Sequence, residues 1–211
     1  MAQDSAAIRG IMTAAPVIPV IILDEVAKAR PLAEALVEGG LKVLEVTLRT
    51  PNALAVMAEM SKVQGAIVGS GTVRTAEHMK RSEDAGCRFM VSPGASPGLL
   101  DAAESASIPL LPGIGTPTEA MAAAERGYTH LKFFPAEALG GAPVLKAFAS
   151  PLPDISFCPT GGVNLSNARD YLSLPNVLCV GGSWIMPADA LEAGDFSRIR
   201  DLAREAAALK V

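Results

Sequence analysis

Lys132 stands in the middle of an otherwise apolar run, HLKFFPAE (130–137), with Leu131 and Phe133 on either side. A lysine in that setting has little room to snorkel to water. Desolvation and a second cation such as Arg49 both disfavour the ammonium, so a fraction of free amine is expected near neutral pH, and a free amine attacks carbonyl carbon. The bland alternatives are a lysine that reaches the rim after all, or one that merely pairs with Glu45. A second run, KVLEVTLR (42–49), supplies Glu45 and Arg49. Strand alternation puts Leu44, Val46 and Leu48 on one face and Glu45, Thr47 and Arg49 on the other. If the apolar face meets helices, Glu45 and Arg49 point inward, where an unpartnered charge costs roughly several kcal/mol. A purely structural Glu45–Arg49 pair is the competing explanation.

Two glycine pairs, in PTGG (159–162) and VGGS (180–183), end the last two apolar runs of the chain. Glycine lets backbone amides approach an anion closely, and amides after the seventh and eighth strands of a parallel barrel form a recurrent phosphate cradle. Gly161, Gly162, Gly181 and Gly182 are therefore candidate phosphate binders, with Thr160 and Ser183 adding hydroxyl donors; ordinary tight turns are the alternative. The run IVGSGTV (67–73) brings Thr72, whose hydroxyl can meet a carboxylate gripped by Arg49. Met57, Met60, Met79, Met90 and Met121 read as packing, and Trp184 as a core anchor or a pocket wall. Cys87, Cys158 and Cys179 form an odd set without CxxC spacing, so neither a disulfide framework nor a zinc site is indicated. Buried, reduced thiols fit better than a catalytic thiolate, since His78 and His130 are the only histidines available as a base.

The elements that must position these groups are strands alternating with helices. Strand-like runs cover Pro16–Ile22, Lys42–Leu48, Ala66–Val73, Phe89–Gly94, Ile108–Ile114, His130–Pro135, Ile155–Gly161 and Val177–Ser183. Helical patterns lie between them at Glu25–Glu38, Asn52–Lys62, Ala76–Ala85, Pro97–Ser105 and Pro117–Arg126, with a last helix near Phe196–Leu209. Thr75, Ser96 and Thr116 are placed to cap, with proline at the first helical position in two cases, and Gly39–Gly40, Gly86 and Gly127 to stop helices. Eight parallel crossovers predict a (β/α)8 TIM barrel rather than an open doubly wound sheet, with an extra N-terminal helix over Met1–Thr13 plugging its floor. One domain over residues 1–211 is expected.

Composition narrows the partners. Half the residues are apolar and 19% charged, which excludes the disordered class. A net charge of −4 from 18 basic and 22 acidic side chains, with no basic block, speaks against nucleic acid. The apolar stretch Ala14–Leu23 is too short to span a bilayer and is broken by Pro16 and Pro19, and it makes a poor signal peptide. A cytoplasmic protein acting on a small molecule is expected.

The motifs PVIPVI (16–21), LEVTLRT (44–50), VGSGTV (68–73), SPG (92–94), LPGI (111–114), KFFPAE (132–137), FCPTGG (157–162) and VGGSW (180–184) resemble, almost end to end, the bacterial 2-keto-3-deoxy-6-phosphogluconate (KDPG) aldolases, class I aldolases of the Entner–Doudoroff pathway. The resemblance implies a homotrimeric (β/α)8 barrel that needs no metal or cofactor, a Schiff-base lysine at Lys132 and an acid/base glutamate at Glu45. It also implies pyruvate-carboxylate binders at Arg49 and Thr72, and a phosphate and aldehyde side at Thr160, Gly161, Gly162, Gly181, Gly182 and Ser183. Threonine at position 160 is what the gluconate-specific members carry; the galactonate-specific relatives differ there. Cleavage of 4-hydroxy-2-oxoglutarate is a lesser activity of the resembled family. Three other readings compete: a galactonate-specific aldolase, a phosphate-binding barrel isomerase or synthase using Lys132 only electrostatically, and a ligand-binding barrel without turnover.

Overall fold

In a computed structural model that describes residues 4–209, helices and parallel strands alternate along the chain. After α1 (Ser5–Met12) come β1 (Val17–Ile21), α2 (Val26–Glu38), β2 (Val43–Thr47), α3 (Ala53–Met60), β3 (Ile67–Gly71) and α4 (Ala76–Asp84). The middle of the chain forms β4 (Phe89–Val91), α5 (Pro97–Ala103), β5 (Leu110–Leu111), β6 (Gly113–Ile114), α6 (Pro117–Glu125) and β7 (His130–Phe133). A 3-10 turn, Glu137–Leu139, leads to α7 (Ala142–Phe148), β8 (Ser156–Pro159), α8 (Ala168–Leu172), β9 (Val180–Gly182), α9 (Ala188–Ala193) and α10 (Phe196–Ala207).

Each strand lies within an expected run. The run Ile108–Ile114 makes two strands, not one, because Pro112 interrupts it with a residue that has no N–H to donate. The cap chemistry is present: the Thr75, Ser96 and Thr116 hydroxyls accept from the amides of His78, Leu99 and Glu119, and Thr116 with Glu119 closes a capping box. The helices α7, α8 and α9 were not among the expected ones. At seven residues or fewer they are too short to display an apolar period. The first helix occupies Ser5–Met12, and residues 1–3 of its expected span lie outside the described residues. No helix among the described residues is long and apolar enough to cross a membrane.

The strands form one sheet in the order β5-β4-β3-β2-β1-β9 and another in the order β6-β7-β8. Isolated parallel bridges, Phe157 to Val177 and Thr160 to Gly181, link β8 to β9. The result is a parallel α/β fold with a curled, half-barrel sheet. Its two faces are chemically distinct. Leu44, Val46, Leu131, Phe133, Phe157 and Val180 pack outward among the helices in the larger apolar cluster. Ile18, Val43, Phe89, Val91, Leu111, Cys158 and Cys179 face inward, where Ile8, Ile11 and Met12 of α1 join them. That inner cluster fills the end where the strands begin and leaves the end where they finish to polar groups.

Candidate active site

The inner face of β2 presents Val43, Glu45 and Thr47, and that of β7 presents His130 and Lys132, as period-2 alternation requires. Thr47 is buried and satisfied, its hydroxyl donating to the Ile21 carbonyl at 3.1 Å. Glu45 and Lys132 are 3% and 4% exposed, and the Lys132 Nζ donates to Glu45 Oε1 at 3.0 Å. Lys132 therefore does not reach the rim, and Glu45 pairs with Lys132 rather than with Arg49. Such a pair is weak evidence for stability, because desolvating two charges costs about as much as their attraction returns.

Room for this pair is made by glycine. A Cβ on Gly71, the inward-facing last residue of β3, would stand 2.4 Å from Glu45 Oε1, and one on Gly113 would stand 2.5 Å from the Pro93 backbone. A side chain at Gly71 would fill the space that the carboxylate uses, whereas Gly113 lets β6 approach the backbone after β4.

Above the pair, Arg49 Nε donates to Thr72 Oγ1 at 3.0 Å. Thr72 has φ +61°, left-handed for a β-branched residue, and no other non-glycine residue among those described takes positive φ. Such a conformation costs about 1–3 kcal/mol and marks a place where side-chain position outweighs backbone comfort. An exposed guanidinium fork beside a hydroxyl is suited to a carboxylate.

Arg49 also lines a cleft of about 120 Å³ whose wall continues through Phe134, Thr160 and the two glycine pairs to Ser183. Gly161 and Gly162 adopt φ of 98° and 81°, open to glycine and strained for other residues. A Cβ on Gly181 would meet Thr160 Oγ1 at 2.3 Å, so the two glycine segments touch side by side. The Trp184 ring packs against the same backbone, where a Cβ on Gly182 would fall inside it. Trp184 is thus a support behind the glycine segment and not a wall of the cleft. Roomier clefts of about 200 and 400 Å³ lie beside Thr50 and His78 and around Pro16 and Leu209. Neither holds a buried charge pair.

Phe134 was not singled out by sequence reasoning. It links the two halves of the site: its ring lines the cleft, and Lys132 Nζ lies 5.5 Å from the ring centroid. The signal was available, since Phe134 follows Lys132 by two positions and so shares its face. The apolar walls Val20, Ile22 and Val163 were likewise unannounced. The thiols look inert. Burial pushes Cys87 up to about 12, and a hydrogen bond with Cys158 followed by burial raises Cys179 well above its ordinary value. Among the described residues, no group of three or more His, Cys, Asp or Glu is arranged to hold a metal ion.

Comparison with known proteins agrees with this geometry. A family model, "KDPG and KHG aldolase", matches residues 8–202. The 2-dehydro-3-deoxy-phosphogluconate aldolase of Pseudoalteromonas atlantica is 53% identical over 92% of this chain and 90% of its own length. The KHG/KDPG aldolase of Escherichia coli K12 is 52% identical over 93% of this chain and 92% of its own. A crystal structure of KDPG aldolase from Legionella pneumophila, with pyruvate captured at low pH as a covalent carbinolamine, superposes with a TM-score of 0.92 at 45% identity. It covers 95% of this chain and 98% of its own. With a family model matched over residues 8–202 and relatives more than half identical along nearly its whole length, this chain belongs to the KDPG and KHG aldolase family.

Proposed function

We propose that this protein is a class I, Schiff-base aldolase that reversibly cleaves 2-keto-3-deoxy-6-phosphogluconate to pyruvate and D-glyceraldehyde 3-phosphate in the Entner–Doudoroff pathway. The observation that carries the proposal is the buried Lys132–Glu45 pair at 3.0 Å, joined through the Phe134 ring to a cleft lined by a guanidinium and two glycine pairs.

Glu45 is within reach to take a proton from the Lys132 ammonium, freeing its lone pair. The amine adds to the ketone carbon of the substrate, giving a carbinolamine of the kind captured in the Legionella relative. Glu45 returns its proton to the departing hydroxyl, so loss of water leaves a protonated imine and an ionised Glu45, and the Lys132 nitrogen becomes the electron sink. Glu45, directly or through a water, removes the C4 hydroxyl proton as the C3–C4 bond breaks, releasing glyceraldehyde 3-phosphate and leaving the enamine of pyruvate. Return of that proton to the enamine methylene, then hydrolysis, frees pyruvate and Lys132. Arg49 and Thr72 grip the carboxylate. Thr160, Gly161, Gly162, Gly181, Gly182 and Ser183 hold the phosphate, so the scissile bond is fixed between two anion grips. The lysine supplies the electron sink that other lyases take from a cofactor.

The gluconate-derived substrate is preferred to the galactonate-derived one because both curated relatives carry the gluconate name and Thr160 is in the cleft wall. Activity on 4-hydroxy-2-oxoglutarate is expected in addition. A closed (β/α)8 barrel is the fold that eight parallel crossovers and the family resemblance imply. It is supported by counting β5 and β6 as one strand bent at Pro112 and by the bridges from β8 to β9. A single-domain homotrimer in the cytoplasm completes the reading.

Borohydride reduction in the presence of pyruvate should leave a covalent adduct that mass spectrometry locates on Lys132. Lys132→Ala should lose the adduct, and chelators should leave the rate unchanged. Glu45→Gln should still form the imine while turning over roughly 10²–10⁴-fold more slowly. A chelator-sensitive rate without an adduct would point to a metal-dependent aldolase, and adduct-free turnover to the isomerase or synthase alternative.

A further inference from the structure

Beneath the phosphate side of the cleft lies a contact that the proposed reaction does not use. Tyr171, on α8, is 1% exposed, and its hydroxyl donates to Glu137 Oε1 in the turn after β7. Buried phenols need a partner, and here it is the carboxylate of a solvent-exposed glutamate whose stem runs against the anion cradle, where its charge opposes the phosphate.

Glu137 is fastened to the cradle in two ways. Its backbone amide donates to the Gly161 carbonyl at 3.0 Å, next to a bond from the Ala136 amide to the Thr160 carbonyl at 2.8 Å. Its side chain runs under Gly162 so closely that a Cβ there would stand 2.6 Å from both Glu137 Cβ and Cγ. The carboxylate then turns away. Oε1 faces Gly141 and the Tyr171 hydroxyl, and Glu137 is absent from the cleft wall that Gly161 and Gly162 form. From the other side, the Gly162 carbonyl accepts from the side-chain amides of Asn164 and Asn167 at 3.1 and 3.2 Å. Those bonds hold the Gly162 carbonyl, and Glu137 supports the same glycine from below. Burial, and then Glu137 beside it, push the phenol of Tyr171 well above its ordinary value, so it remains a donor at any physiological pH.

We infer that Tyr171 and Glu137 are positioning residues for phosphate recognition: the phenol draws the Glu137 carboxylate away from the cleft and so keeps Gly161–Gly162 seated with their amides available to the phosphate. The inference rests on the aldolase reading above and adds residues that touch neither substrate nor the reacting atoms.

The test compares two substrates of the wild-type enzyme and its variants, 2-keto-3-deoxy-6-phosphogluconate and the unphosphorylated 4-hydroxy-2-oxoglutarate. Tyr171→Phe keeps the ring and removes the donor. It should raise KM for the phosphorylated substrate on the order of tenfold, the scale of one hydrogen bond to a charged group. Its kcat, its borohydride-trapped pyruvate adduct and its KM for 4-hydroxy-2-oxoglutarate should stay within about twofold of wild type. Glu137→Gln, which retains an acceptor for the phenol, should keep a near-wild-type KM, whereas Glu137→Ala should behave like Tyr171→Phe. Equal effects on both substrates, or no effect on either, would overturn the positioning role while leaving the aldolase reading intact. Should Tyr171→Phe fail to fold, the contrast between Glu137→Gln and Glu137→Ala decides the matter in the same way. A wild-type enzyme that cleaves neither substrate defeats the aldolase reading instead.

Discussion

Thr72 and Gly71 occupy neighbouring positions at the end of β3 and make opposite demands on the backbone. Thr72 bears a left-handed φ that a glycine would hold without strain, yet its hydroxyl accepts from Arg49. Thr72→Gly is therefore expected to leave stability unchanged or raise it by up to about 2 kcal/mol, strain relief being offset in part by the freer unfolded chain. The same variant should raise KM for pyruvate on the order of tenfold in the condensation direction. Denaturant unfolding and initial rates measure the two effects together; a large loss of stability would mean that the left-handed backbone is not strained. Gly71 is the reverse case, a residue kept small for a neighbour's sake. Gly71→Ala should fold but move the Glu45 carboxylate, because the added carbon would lie 2.4 Å from Oε1. A fall in kcat of about a hundredfold, with an unaltered circular dichroism spectrum, is the expected result. Unchanged kcat would remove Glu45 from proton transfer.

Among the elements, α1 and β7 are coupled through the site's underside. Ile8, Ile11 and Met12 fill the inner cluster at the start of the strands, and Ser5 Oγ lies 3.2 Å from Thr129 Oγ1, one residue before β7. His130, the first residue of β7, is held below its ordinary value first by burial and then by Arg9 of α1. A histidine whose folded value is depressed contributes stability that is complete above the unfolded value of about 6.5 and is lost as pH falls through the folded value. The melting temperature should accordingly decline on acidification below about pH 6.5. Arg9→Gln should make that decline shallower by letting the imidazole titrate closer to its ordinary range. Calorimetry across that interval measures the slope, and identical slopes in both proteins would remove Arg9 from the effect.

For the molecule as a whole, the division of labour between the two ends of the strands governs what the fold can do. Apolar side chains and α1 occupy one end of the interior, while the other end gathers a buried charge pair, a guanidinium and glycine-lined backbone. Placing chemistry at the carboxyl ends of parallel strands lets groups from different strands, Glu45 of β2 and Lys132 of β7, meet inside one fold. Static light scattering is expected to give about three times the 21.7 kDa chain mass, as the family resemblance implies. A monomer in solution would correct the assembly proposed for this chain without touching the chemistry.

Much of this arrangement was legible in the amino-acid order because its rules are local. Period-2 alternation put Glu45 on an inward face, the apolar neighbours of Lys132 marked it as buried, glycine pairs marked the strand ends that line the cleft, and hydroxyl–proline signals marked helix starts. Each rule needs only a few neighbouring residues. The family motifs extended that reading to a reaction. Other features depended on residues far apart in the chain. Glu45 and Lys132 are 87 positions apart, and local spacing did not say that Glu45 would choose Lys132 over the nearer Arg49. The left-handed backbone at Thr72 has no signal in a β-branched residue, Phe134 lines the cleft beside the glycine pairs, and Tyr171 met Glu137 across 34 positions. Pairing across such separations is an outcome of packing, in which desolvation lets one partner win among several of suitable charge, and no periodicity encodes that choice.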